Sequence, residues 1–151
     1  MKGDPKVIAY LQEVLTAELT AINQYFLHSE MMDNWGYKAL AAFTKKEAIE
    51  EMVHAEKAIE RILYLDAMPN MSQLFPLRIG QTVKEQIEND LQLEYEAVPR
   101  LNKAVNCAVE AGDNGSRDLF ESILKDEEHH VDYLEAQLHM IREMGYEHYL
   151  A

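Results

Sequence analysis

The chain has 151 residues, enough for one domain with a full core. Its 14 basic and 27 acidic residues leave a formal charge of −13, which argues against nucleic acid or an anionic membrane as partner and favours the attraction of cations. A single cysteine, Cys107, excludes an internal disulfide and suits a reducing cytoplasm; no apolar run approaches the ~18 residues of a membrane span, and Met1 to Pro5 leads into an amphipathic stretch broken by Glu13 and Glu18 rather than a signal peptide.

Asp4 followed by Pro5 reads as an N-cap and first helical position, so a first helix is expected over about 5–33. Its inward stripe is Leu11, Leu15, Glu18, Ile22 and Tyr25, in steps of four, three, four and three. Glu18 therefore falls inside an apolar seam, where an unpaired carboxylate is costly and a cation is the obvious partner. Asn34-Trp35-Gly36 ends this helix, and a second is expected over about 37–65 with the stripe Phe43, Glu47, Glu51, His54, Ala58 and Ile62. Asp66 to Gln81, with Pro69, Asn70, Pro76 and Gly80, reads as a connection long enough to cross from one end of a bundle to the other.

Thr82-Val83-Lys84-Glu85 has the form of a capping box and opens a third helix, about 83–111, with the stripe Ile87, Leu91, Glu94, Val98, Leu101 and Val105. Pro99 inside it removes one helical hydrogen bond and predicts a bend. Cys107 is expected to pack rather than react. After the turn Gly112 to Gly115, Ser116 is expected to cap a fourth helix, about 116–144, with the stripe Ile123, Glu127, His130, Leu134, Leu138 and Ile141. Gly145 stops it, and the tail to Ala151 holds at most one or two further turns.

Two of these stripes carry Glu-x-x-His, at Glu51–His54 and Glu127–His130. Positions three apart share a helix face, so each motif aims a carboxylate and an imidazole the same way. Glu18 precedes Glu51 by 33 residues, and Glu94 precedes Glu127 by the same 33, so one constellation is written twice with an offset of 76. A Glu from each of two helices and a Glu-x-x-His from each of the other two is the ligand pattern of ferritin-like di-metal bundles. Glu and His suit a borderline divalent ion, and the lack of cysteine ligands argues against structural zinc. Two divalent ions balance four carboxylates; Glu51 and Glu127 are the expected bridges, Glu18 and Glu94 the terminal ligands. Two iron ions held together can pass two electrons to one dioxygen, so oxidation of Fe(II) by O2 or peroxide is expected. Ion pairing as the alternative would need basic residues on the stripes, which carry none.

The chain resembles a bacterioferritin over nearly its whole length. The residues that carry the resemblance are Met1-Lys2-Gly3, the run Ala21 to His28, Glu50-Glu51-Met52 with His54-Ala55, Pro69-Asn70, and Asp126-Glu127-Glu128 with His130. The resemblance implies an all-α, ferritin-like four-helix bundle with a long crossover and a short helical tail. It also implies a homo-oligomeric cage of twenty-four subunits, built from two-fold dimers, that stores iron as ferric mineral, with a reductase or ferredoxin as partner for iron release. The six residues above would be its ferroxidase ligands, taking two iron ions per subunit.

It further implies haem b shared between two subunits, with Met52 as axial ligand. Met52 lies about 100° round the helix from Glu51 and faces away from the metal set. On spacing alone an ordinary interface methionine is the plainer reading; a symmetric dimer interface, which brings the same residue together from both chains, suits a bis-methionine haem. Leu19, Ile22, Asn23 and Phe26 lie beside that pocket. Some family members carry a His and an Asp on the cavity face, where Lys46 and Glu50 stand here. Tyr25 is expected as a core tyrosine bonded to a carboxylate, with electron donation as the alternative role. Asn34, Asp66 and Asp132 are candidates for the pores. The competing reading is a mainly structural, haem-carrying subunit of a mixed cage.

Overall fold

The computed structural model describes residues 1–151. The Asp4 side chain accepts from the amides of Lys6 (2.8 Å) and Val7 (3.4 Å), which starts α1, Pro5–Asn34, where the Asp-Pro pair predicts it. Three further long helices follow, α2 (Lys38–Tyr64), α3 (Val83–Glu110) and α4 (Asn114–Met144), then a single turn and a half, α5 (Tyr146–Leu150). Thr82 caps α3 by accepting from the Glu85 amide at 3.1 Å. The expected Ser116 cap is displaced: Asp113 accepts from both the amide (3.0 Å) and the hydroxyl (2.7 Å) of Ser116, and α4 begins at Asn114. Arg61 fixes this cap from α2, donating through Nη2 to Asp113 Oδ1 at 2.7 Å and through Nε to Ser116 Oγ at 3.0 Å. α3 runs unbroken through Pro99.

Tight turns at Gly36 (φ 94°) and Gly112 (φ 68°) fold α1 on α2 and α3 on α4, a backbone region that glycine enters without strain. Pairs across the bundle give the remaining directions. Gln24 and His28 bond to Asp90 while Glu13 bonds to Arg100, so α1 and α3 are antiparallel. His54 meets Asp126 while His130 meets Glu50, so α2 and α4 are antiparallel too. Hence α2 and α3 are parallel, and residues 65–82 must return the chain the length of the bundle.

That crossover lies along α1 and is stitched to it. Gln12 exchanges hydrogen bonds with the backbone of Asn70 (2.8 and 2.9 Å), Thr20 Oγ1 accepts from the Phe75 amide (2.9 Å), and Gln24 Oε1 from the Arg78 amide (2.9 Å). His28 Nε2 accepts from the Gly80 amide at 3.0 Å. Gly80 itself is pressed against Gln86, where an added Cβ would come within 2.4 Å of the backbone nitrogen.

The predicted stripes face inward. They form two main apolar clusters, one built around Val7, Leu11, Leu15, Leu101 and Phe120, the other around Met32, Ile87, Leu91, Leu134 and Ile141, with a small third one of Ala21, Tyr25 and Ala48. Between these two caps sits a layer of buried polar side chains.

Candidate metal centre

The buried polar layer contains all six residues of the repeated motif. α1 supplies Glu18, α2 Glu51 and His54, α3 Glu94, and α4 Glu127 and His130, every one of them buried. Glu18, Glu51, His54 and Glu127 bring one ligand atom each within 4.8 Å of one another; so do Glu51, Glu94, Glu127 and His130. Glu51 and Glu127 belong to both groups, which gives them the geometry of shared carboxylates. His54 Nδ1 lies 3.5 Å from Glu18 Oε2 and 3.2 Å from Glu127 Oε1. His130 Nδ1 lies 3.2 Å from Glu51 Oε1 and 3.4 Å from Glu94 Oε1.

Both imidazoles turn Nδ1 inward and Nε2 outward to a further carboxylate. His54 Nε2 is 2.7 Å from Asp126 Oδ2, and His130 Nε2 is 2.8 Å from Glu50 Oε2. The partners are exchanged across the bundle: α4 supplies the acid for the α2 histidine and α2 the acid for the α4 histidine. An Nε2–H held by a carboxylate fixes the tautomer and leaves the Nδ1 lone pair free for a metal. Sequence reasoning named no such partners, although a signal exists: each inner Glu of a Glu-x-x-His is immediately preceded by an acid, Glu50 or Asp126.

Burial pushes the carboxyl groups of Glu18, Glu51 and Glu94 well above the ordinary range, and the neighbouring carboxylates push them further. Burial alone pulls His54 down, but Glu127 and Glu51 beside it prevail and hold its pKa at about 9. The same contest raises His130. Without metal, this cluster therefore holds protons that a cation would displace.

The donor set fits a pair of divalent ions. Nine buried side-chain atoms have no hydrogen-bond partner, and six of them belong to the six motif residues, one from each: an oxygen of each Glu and Nδ1 of each His. Buried polar atoms are rarely left so, and here the orphans converge. No lysine or arginine pairs with any of the six, which removes a conventional ion-pair network as the explanation. Cys107 packs against the apolar cluster away from this layer.

Glu47, predicted on the inward stripe but given no role, is buried to 4 % exposure. Its Oε2 is one of the remaining orphans and lies 3.9 Å from His130 Nε2. Burial pushes its pKa up to about 9. The Tyr25 hydroxyl donates to Glu94, and burial raises its pKa. Asp90, His28 and Gln24, buried beside them and given no individual role by the sequence, hold the crossover.

Met52 projects from the opposite face of α2 and is 52 % exposed, in company with exposed Phe26, Ile49 and Val53. Leu19 and Ile22 are half-buried and Asn23 exposed on the adjacent face of α1. Lys46 is exposed, and Glu50 is the half-buried partner of His130. Asn34, Asp66 and Asp132 are exposed.

Comparison with known proteins identifies the fold and the family. The ferritin-like domain family matches residues 8–144. Bacterioferritin of Mycolicibacterium paratuberculosis is 54% identical over the whole chain and 95% of that protein, and bacterioferritin of Streptomyces coelicolor is 49% identical over the whole chain and 90% of that protein. A solved structure of Mycobacterium tuberculosis bacterioferritin, BfrA, superposes with a TM-score of 0.98 at 51% identity, covering 99% of this chain and 94% of that one. No helix is long and apolar enough to cross a membrane.

Proposed function

This chain belongs to the bacterioferritin family, and on that premise we propose that it is an iron-storage subunit that oxidises Fe(II) with O2 or peroxide and deposits the product as ferric mineral inside a homo-oligomeric cage. The observation that carries the reading is the convergence of six orphaned buried atoms, with Glu51 and Glu127 common to two overlapping groups. Iron enters as substrate, and a bound pair of ferrous ions supplies two electrons to one oxidant molecule. The chain does the rest. Glu18 and His54 hold one ion, Glu94 and His130 the other, and Glu51 and Glu127 span both. Asp126 and Glu50 keep the imidazoles oriented, so that Nδ1 faces the metal without rotational search. Protons held by the carboxyl groups leave as the cations arrive, which makes loading weaker in acid. The apolar clusters on either side limit water and lower the local dielectric.

The test is iron uptake with simultaneous sizing. Mixed with Fe(II) in air, the protein is expected to consume O2, develop ferric absorbance and run as a particle of many subunits. Glu18→Ala or His130→Ala is expected to remove the fast phase; full-rate variants would sink the site assignment, and a persistent monomer or dimer would sink storage.

Haem is the second group in this proposal. Met52 stands exposed amid Phe26, Ile49 and Val53, an apolar face that suits a flat macrocycle shared with the same residue of a two-fold partner. Met52→Leu is expected to abolish the haem absorption bands while leaving iron oxidation intact; an unchanged spectrum would exclude this ligand.

A further inference from the structure

A narrow shaft runs from the α1–α3 surface down to the four carboxylates of the centre. Its apolar walls are Leu93 and three alanines, Ala17 and Ala21 on α1 and Ala97 on α3, where most inward positions of these helices carry larger side chains. Its cavity is 20 Å³, room for about one water molecule. At the outer end lie Phe75 of the crossover and Arg100 of α3.

Both are held in position. The Phe75 amide donates to Thr20 Oγ1 at 2.9 Å, which fixes the backbone over α1. The Arg100 guanidinium sits over the Phe75 ring, 5.1 Å from its centroid, and donates through Nε to Glu13 at 3.2 Å. Glu96, also at the mouth, is paired with Arg78 at 2.7 Å. Glu96 at the opening and Glu13 behind Arg100 are thus both occupied by arginines, and one of those arginines covers the aromatic plug.

We propose that divalent cations reach the centre through this shaft, and that Phe75 and Arg100 are the gate that sets the loading rate. The inference rests on the metal reading above. An arriving cation competes with the guanidinium groups for Glu13 and Glu96. When Glu13 turns to the cation, Arg100 loses its anchor and Phe75 its cover. The alanine walls then admit an ion stripped of most of its water, and the carboxylates at the floor replace the lost oxygen ligands. The alternative entrance is the opposite side, past the half-exposed Asp126 and Glu50 that hold the histidines.

Co(II) tests the route without redox chemistry, since its visible bands report filling directly. Stopped-flow loading of the assembled protein is expected to be about tenfold faster in Phe75→Ala and in Arg100→Gln, and about tenfold slower in Ala97→Leu, with the final number of ions per chain unchanged. Phe75→Ala and Arg100→Gln alter only the rim, so they test the idea even if Ala97→Leu does not fold. Loading at the parental rate in both rim variants, with a full complement bound, overturns the route while leaving the centre intact. No Co(II) uptake by the parent protein overturns the metal reading and the route together.

Discussion

The two halves of the bundle, related by an offset of 76 residues, agree in the ligands and disagree in what surrounds them. Glu18, Glu51 and His54 repeat as Glu94, Glu127 and His130, and the outer acids repeat as Glu50 and Asp126. Around the Glu18–His54 position, Val14, Leu101, Ala104 and Ile123 belong to one dry cluster. Their counterparts by the same offset are Asp90, Tyr25, His28 and Glu47, all buried and each carrying an ionisable head group, on the Glu94–His130 side. Burying such groups costs free energy unless they are bonded or charged for a purpose. Three of the four are bonded: Tyr25 to Glu94, and His28 to both Asp90 and the crossover. Glu47 keeps an oxygen free near His130. Equal sets of Glu and His thus need not make equal metal positions: on the proposed reading one position would be walled by apolar side chains, whereas the other would have the free carboxylate oxygen of Glu47 nearby.

The largest effect that probes this comparison comes from the ligands the halves share. Glu51→Gln removes a donor from both groups, whereas Glu18→Gln removes one from a single group. Glu51→Gln is expected to lower the iron oxidation rate by more than about 100-fold, because losing even an outer-shell partner costs roughly 10–100-fold. Glu18→Gln is expected to leave one ion bound per chain by metal analysis; equal losses in the two variants would show that Glu51 is not shared.

A smaller effect follows from making the polar side resemble the dry one. Glu47→Ile puts the residue of the dry half into the polar half. Release of the more labile ion to a chelator is expected to slow several-fold, with the other ion unaffected; two ions leaving together at the parental rate would erase the distinction.

The smallest effect is on stability. Glu47 and His54 both have pKa values near 9 in the metal-free fold, above the ordinary 4.5 and 6.5. The stability each contributes is fully present below its ordinary value and is lost as pH rises through about 9. Metal-free protein is therefore expected to melt lower at pH 9 than at pH 6, by roughly 3 °C or more, the shift that about 1 kcal/mol gives a domain of this size. Bound metal should flatten the slope, and Glu47→Ile should reduce it; a melting temperature rising with pH would contradict the assignment.

The inner residues were legible in the sequence because helical periodicity alone sets which face a side chain takes. Glu18 stands between Leu15 and Ile22 in an apolar stripe, and no tertiary knowledge is needed to place it inside. The outer acids were not legible as partners. An acid before each inner Glu marks the candidates, but whether Asp126 meets His54 or faces water depends on the register and direction of α2 against α4, which that local pattern does not set. The same holds for His28 and Asp90, whose purpose exists only once the crossover lies along α1. At the start of α4 the local rule was right in kind and wrong in residue, since Asp113, held by Arg61 from another helix, caps in place of Ser116.

The stitching of the crossover has a consequence for how the chain unfolds. The amide hydrogens of Phe75, Arg78 and Gly80 end on side chains of Thr20, Gln24 and His28, more than fifty positions away. Each helical hairpin closes through contacts between chain neighbours, but this seam joins residues more than fifty positions apart, at the entropic cost of a longer loop. Deuterium entering those three amides consequently clocks the parting of the strap from α1, an opening that the helices themselves can survive.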